Sequence, residues 1–183
     1  MITSNFGTLR GLVRLGLAYG EVAQGAAGIS KPDPAAVRRL VFVCHGNICR
    51  SAFADVVARK AGMRVASFGL STDAGKGAHP PAIAAATALG FDMRAHRTTR
   101  AGDFVPEPGD YLLGMETRQL RRMAGMAHLA STPRGLLGQY ASPPFPHLHD
   151  PYALDPAYMP VCLKRIERAV ANLAERYPGA VLS

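Results

Sequence analysis

The chain has 183 residues, 48% of them hydrophobic, and a formal net charge of +8 at pH 7. That length allows one domain with a real core plus an appendage, and no run is long and apolar enough to suggest a membrane span. The 3 cysteines, Cys44, Cys49 and Cys162, do not make a disulfide scaffold, and no interleaved aromatic and basic motif points to a nucleic-acid binder.

Residues 1–37 read as an N-terminal extension, a helix followed by a linker. Ile2, Phe6, Leu9, Val13 and Leu17 fall on one helical face, with Arg10 and Arg14 beside it. The stretch from Gln24 to Pro34, rich in Gly, Ala, Ser and Pro, predicts separable packing. Arg14 and Glu21 interrupt the apolar patch, which argues against a secretory signal. A helix over residues 1–20 can lie on a membrane surface or on another protein. The simplest reading is a helix that buries its stripe on its own domain or on a symmetry mate.

The domain proper is expected over residues 38–183. Strand 1 is Leu40 to Val43, and the next helix is expected from Ser51 to Ala61. Strand 2 is expected over Arg64 to Phe68, and the following helix over Ala82 to Leu89, stopped by Gly90. Strand 3 is expected over Tyr111 to Met115, then a helix over Thr117 to Met123, then a short strand around Leu136-Leu137. Pro143, Pro144, Pro146 and Pro151 exclude regular structure from Ser142 to Pro151. Met159, Leu163, Ile166, Val170, Leu173 and Tyr177 make one apolar stripe of a final helix, entered at Asp155-Pro156 and stopped at Pro178-Gly179. Strands alternating with helices predict an α/β domain, a parallel sheet with helices on both faces.

The segment Cys44-His45-Gly46-Asn47-Ile48-Cys49-Arg50-Ser51 joins strand 1 to its helix. Backbone N–H groups of such a loop, with a helix N-terminus behind them, form a nest for a tetrahedral oxyanion. A cysteine at its base sees these dipoles and a nearby guanidinium, and both favour thiolate over thiol. Arg50 can clamp two phosphate oxygens with its planar fork. Residues 45–51 would bind the phosphate, Asn47 suits a left-handed backbone, and Ser51 can donate a hydrogen bond to the Cys44 thiolate. The constellation suits attack on phosphorus through a phosphocysteine.

Val41-Phe42-Val43 followed by this loop resembles the signature of the low-molecular-weight protein tyrosine phosphatases. Ser67-Phe68-Gly69 resembles that family's Ser-Ala-Gly turn, Gly90 to Arg97 its Gly-Ile-x-x-x-x-His-Arg segment, Asp110 to Met115 its third strand, and Asp150-Pro151-Tyr152 its general-acid loop. The resemblance implies a four-stranded sheet with the phosphate loop after strand 1. It implies Asp150 as general acid and base, Tyr152 as a wall for the substrate ring, and a supporting network of Asn47, Ser51, Ser67 and His96. It also implies that Cys49 can trap an oxidised Cys44 as a disulfide. The implied substrate is a phosphotyrosine-containing protein, such as a bacterial tyrosine kinase, and the implied compartment is the reducing cytoplasm. The chemistry calls for no cofactor and no metal, although His147-Leu148-His149-Asp150 alternates ligand types.

The chain departs from the family at Ala52, where proline is usual, and at Ser71 to Gly75, which offers no aromatic for the substrate wall. Arsenate reductases on this scaffold need a further cysteine pair, which Cys162 alone does not supply. Protein-arginine phosphatases carry threonine at the position of Ile48. A non-catalytic phosphate-binding module would be expected to lose Cys44, Arg50 or Asp150, and all three are present.

Overall fold

The computed structural model describes residues 2–182. Ten elements follow in chain order: α1 Ile2–Phe6, α2 Leu9–Ala23, β1 Arg39–Cys44, α3 Arg50–Lys60, β2 Val65–Gly69, α4 Pro80–Ala88, β3 Asp110–Gly114, α5 Thr117–Ala124, β4 Arg134–Leu136 and α6 Tyr158–Arg176. The 4 strands form one parallel sheet in the order β2-β1-β3-β4. Alternation along β1 divides the core. Leu40, Phe42 and Cys44 face a cluster with Phe53, Leu163 and Ile166 from α3 and α6. Val41 and Val43 face a second cluster with Leu112, Leu120 and Met123. Both faces of the sheet are therefore covered, as parallel sheets require. The strand order reverses between β1 and β3, so the loops after these two strands open a crevice at the carboxyl edge, where open α/β sheets bind ligands.

Boundaries moved where local chemistry outweighed periodicity. Helix α4 begins at Pro80 rather than Ala82, because two prolines can occupy a first helical turn whose N–H groups lack intrahelical partners. The fourth strand is Arg134–Leu136, not Leu136-Leu137, and Leu137 starts a 3-10 turn. Gly135 is fixed by close approach, since a side chain there would run into the Tyr111 hydroxyl. Arg134 is buried because its guanidinium donates to the carbonyls of Leu129, Ala130 and Thr132. The stripe expected for the last helix is buried throughout α6 and into Tyr177.

The extension packs on the domain, but with a different face from the one the periodicity marked. Gly7, at φ +77°, ends α1 and resets the helical phase. Helix α2 then buries Gly11, Leu15 and Ala18, leaving Leu9, Val13 and Leu17 between 55% and 65% exposed. Tyr19 donates to the Pro144 carbonyl, Glu21 pairs with Arg121, and Phe6 stacks on Phe145. The linker is also tied down: Ser30 N–H donates to the Arg134 carbonyl, and the Tyr111 hydroxyl donates to the Ser30 carbonyl. Among the described residues, no helix is long and apolar enough to cross a membrane.

Candidate active site

Strand β1 ends in Cys44, and α3 starts at Arg50, so residues 45–49 turn at the carboxyl edge of the sheet. Asn47 holds φ +53°, the left-handed conformation expected for it. Its N–H lies 3.2 Å from Cys44 Sγ. Asn47 Nδ2 donates to Ser51 Oγ at 2.9 Å and to Ser67 Oγ at 3.2 Å. Thr99 N–H donates to Asn47 Oδ1, and His96 Nε2 lies 2.7 Å from the Asn47 carbonyl, which can only accept. Ser51 Oγ stands 2.9 Å from Cys44 Sγ, and because it already receives Asn47's proton, its own is directed at the sulfur. Asn47, Ser51, Ser67 and His96 are thus one network beneath the nucleophile candidate. Burial, offset in part by that carbonyl, lowers the pKa of His96 and favours its neutral form.

Arg50 is 1% exposed. Its Nη1 donates to Glu116 Oε1 and to the Leu148 carbonyl, both at 2.8 Å. Its Nη2 lies 2.6 Å from Asp150 Oδ2, an ion-pair contact outside hydrogen-bond geometry. Among the described residues, Nε and Nη2 are buried without a hydrogen-bond partner. These two nitrogens form one edge of the guanidinium fork, the arrangement that grips two oxygens of a phosphate. Burial opposes the charge of Arg50, but Asp150 and Glu116 outweigh it and raise its pKa.

Glu116 was not among the expected site residues. It stands just after β3, at the same edge of the sheet where Cys44 ends β1, which is the one signal that could have found it. Although burial works against its charge, Arg50 and Arg118 hold its carboxyl down to about 2.

Asp150, Tyr152 and Ile48 line a cavity of about 230 Å³ with Cys44, Arg50 and Lys76. Asp150 accepts from the Tyr152 N–H at 3.2 Å, which turns the chain so that Tyr152 stands 53% exposed, 4.9 Å from the ring of His79. His79 and Lys76 went unrecognised in the sequence, and the segment from Ser71 to Gly75 adds no ring to the wall. A larger groove of about 660 Å³ beside β2 is lined by Arg39, Arg59 and His96. Arg39 is paired there with Asp110 and Glu107, Arg59 with Asp55, and Arg97 donates to the carbonyls of Arg94 and His96. The smaller cavity, with its unmatched donors, is the better candidate.

Cys49 is buried, and burial first, then Cys44, pushes its thiol up, so it stays protonated. Cys162 lies within α6, its thiol pushed up to about 12 by burial. His147 and His149 lie on the side of their loop that meets the extension. Among the described residues, no three His, Cys, Asp or Glu side chains stand close enough to share a metal ion.

His147 carries a pH prediction. Burial, opposed by Glu116 and helped by His149, Arg50 and Arg14, holds it at about 4, against 6.5 for an ordinary histidine. The unfolded chain therefore binds a proton that the folded protein refuses as pH falls from 6.5 towards 4. Stability should fall across that window, by up to about 3 kcal/mol from this residue. Urea midpoints at about pH 7 and about pH 4.5 check this. His147→Gln should flatten the slope, and an unchanged slope would assign the acid loss to other groups.

With this geometry in view, the comparisons with known proteins are informative. Residues 39–179 match the family model "Low molecular weight phosphotyrosine protein phosphatase". The low molecular weight protein-tyrosine-phosphatase Wzb of Escherichia coli K12 is 33% identical over 90 residues, 48% of this chain and 61% of Wzb. The chain therefore spans about three fifths of that relative's length. The crystal structure of the Erwinia amylovora tyrosine phosphatase amsI superimposes with a TM-score of 0.67 at 22% identity, covering 76% of this chain and 92% of the other. The YwlE arginine phosphatase from Geobacillus stearothermophilus superimposes with a TM-score of 0.64 at 22% identity, over 75% and 91% of the two chains. At that identity both structures speak for the fold alone, whereas the family model spans most of the chain. The chain belongs to the low molecular weight phosphotyrosine protein phosphatase family.

Proposed function

We propose that this protein hydrolyses phosphotyrosine in proteins, and small aryl phosphates, through a phosphocysteine. The observation that carries the reading is the Nε–Nη2 edge of Arg50, which makes no hydrogen bond and meets only the Asp150 carboxylate, in one cavity with Cys44. Cys44 Sγ attacks phosphorus while the ester oxygen departs in line, and Arg50 grips two equatorial oxygens as charge builds there. The phosphate replaces Asp150 on Arg50 Nη2; the released carboxylate takes up a proton from solvent and, as a neutral carboxyl beside the leaving oxygen, gives it to that oxygen. Water next attacks the phosphocysteine, Asp150 takes its proton, and phosphate leaves with the Cys44 thiolate restored. Ser51 and the Asn47 amide stabilise that thiolate at both ends of the cycle.

Phosphotyrosine is favoured over phosphoarginine by the lining. Tyr152 and Ile48 offer apolar surface to a ring, while Lys76 at the rim is paired with Asp73. Peptides carrying phosphotyrosine, phosphoarginine or phosphoserine, with arsenate as a further substrate and Cys44→Ser as control, test this. Phosphotyrosine should give the highest kcat/KM, and faster release from phosphoarginine would overturn the assignment of substrate.

A further inference from the structure

The extension lies outside the span matched by the family, yet it reaches the segment that carries the candidate acid. A side chain at Gly7 or Gly11 would stand 2.9 to 3.0 Å from the ring of His149, the residue before Asp150. Gly16 and Gly20 of the same helix have open space instead; at Gly11 a side chain would also run into the Phe6 carbonyl, and Gly7 holds φ +77°, so closeness to this loop is one of two constraints on each. Thr8, between them, caps α2 by accepting from Gly11 N–H at 2.9 Å, and its Oγ1 lies 3.2 Å from His149 Nε2. His149 Nδ1 lies 3.2 Å from His147 Nε2, and His147 Nδ1 lies 4.0 Å from Glu116 Oε2. Glu116 is the carboxylate that holds Arg50, and Arg14 of α2 approaches it to 3.7 Å.

The Glu116 carboxylate favours one arrangement of protons. His147 Nδ1, although 4.0 Å from Glu116 Oε2 and beyond hydrogen-bond reach, faces that negative charge and so keeps the proton, which leaves Nε2 to accept. His149 then donates from Nδ1 and accepts at Nε2, where Thr8 supplies its hydroxyl proton. Both imidazoles are neutral, in keeping with burial lowering the pKa of each. The loop they belong to is also held by Arg50 Nη1, which donates to the Leu148 carbonyl at 2.8 Å, and by the Cys162 thiol, 3.8 Å from the His149 carbonyl. It holds four prolines between 142 and 151, and its backbone ties include Leu148 N–H to the Met115 carbonyl and the Tyr158 hydroxyl to the His149 carbonyl.

We propose that α1 and α2 are a positioning device for the active site, in which Thr8, acting through His149 and His147, fixes the acid loop so that Asp150 stands correctly over Arg50. The proposal deepens the catalytic reading above and rests on it. Thr8 touches no substrate. It sets where the acid stands, so its loss should matter most when the leaving oxygen needs a proton.

Thr8→Val in the full chain keeps the shape and removes the hydroxyl. It should lower kcat on phenyl phosphate by about tenfold, and on 4-nitrophenyl phosphate by less than about twofold. Thr8→Ser, which both caps the helix and donates, should restore both rates. Equal losses on the two esters, or a lower Tm with both rates intact, would reduce the extension to packing and overturn the proposal. Nitrogen-15 spectra of the unaltered protein give a second reading that needs no variant. They should show His149 protonated at Nδ1, and a proton at Nε2 would overturn the chain. If the unaltered protein hydrolyses neither ester, the catalytic reading fails, while the spectra still decide whether Thr8 orders the loop.

Discussion

Arg50→Lys should lower turnover of an aryl phosphate by about three orders of magnitude. Lysine keeps the charge but not the fork. The Nε–Nη2 edge that grips two oxygens is lost, and a single ammonium cannot also serve Glu116 and the Leu148 carbonyl. Arg50→Met should reduce stability as well, by about 1–3 kcal/mol, because the buried Glu116 carboxylate loses one close cation and keeps the other, Arg118. Steady-state rates and urea midpoints on both variants separate the two effects. Near-normal turnover in Arg50→Lys would mean that a positive charge alone suffices and that the fork geometry is incidental.

Asp150→Asn should lower kcat on phenyl phosphate by about two to three orders of magnitude, and on 4-nitrophenyl phosphate by about tenfold or less. A basic phenolate needs its proton in the transition state, whereas a stabilised one leaves without it. The geometry adds a second expectation of opposite sign. Asp150 Oδ2 lies 2.6 Å from Arg50 Nη2, so the carboxylate competes with phosphate for the clamp. Asparagine is a weaker competitor, and inorganic phosphate should therefore inhibit Asp150→Asn at lower concentration than it inhibits the unaltered enzyme. Equal rate losses on both esters, with phosphate inhibition unchanged, would make Asp150 a structural residue of its loop.

How much of this was legible in the sequence depended on whether the signal was local. Cys44 to Ser51 could be read because a continuous apolar strand, a loop and a helix start are contiguous in the chain, and the left-handed Asn47 follows from its residue type. Asp150 came from its motif, since a loop aspartate beside proline carries no signal of its own. Glu116 could not be read as a partner of Arg50. The two are 66 residues apart and meet only because β1 and β3 are neighbours in the sheet. The extension misled for a different reason. Periodicity found an apolar face, but Gly7 breaks the helix and docking was decided by smallness at Gly11 and Ala18, which weigh little in a hydrophobic pattern. The short β4 was shifted because Arg134 and Gly135 are poor strand formers whose places are set by carbonyls and by the Tyr111 hydroxyl.

If phosphate passes through Cys44, rapid chemical quench will catch it there. Phosphorus-labelled phenyl phosphate mixed with the enzyme and quenched before steady state should leave label on the peptide containing Cys44. That label should decay at the rate at which inorganic phosphate appears, and Cys44→Ser should show no turnover. Full turnover without a labelled enzyme, or label on a residue other than Cys44, would contradict the account.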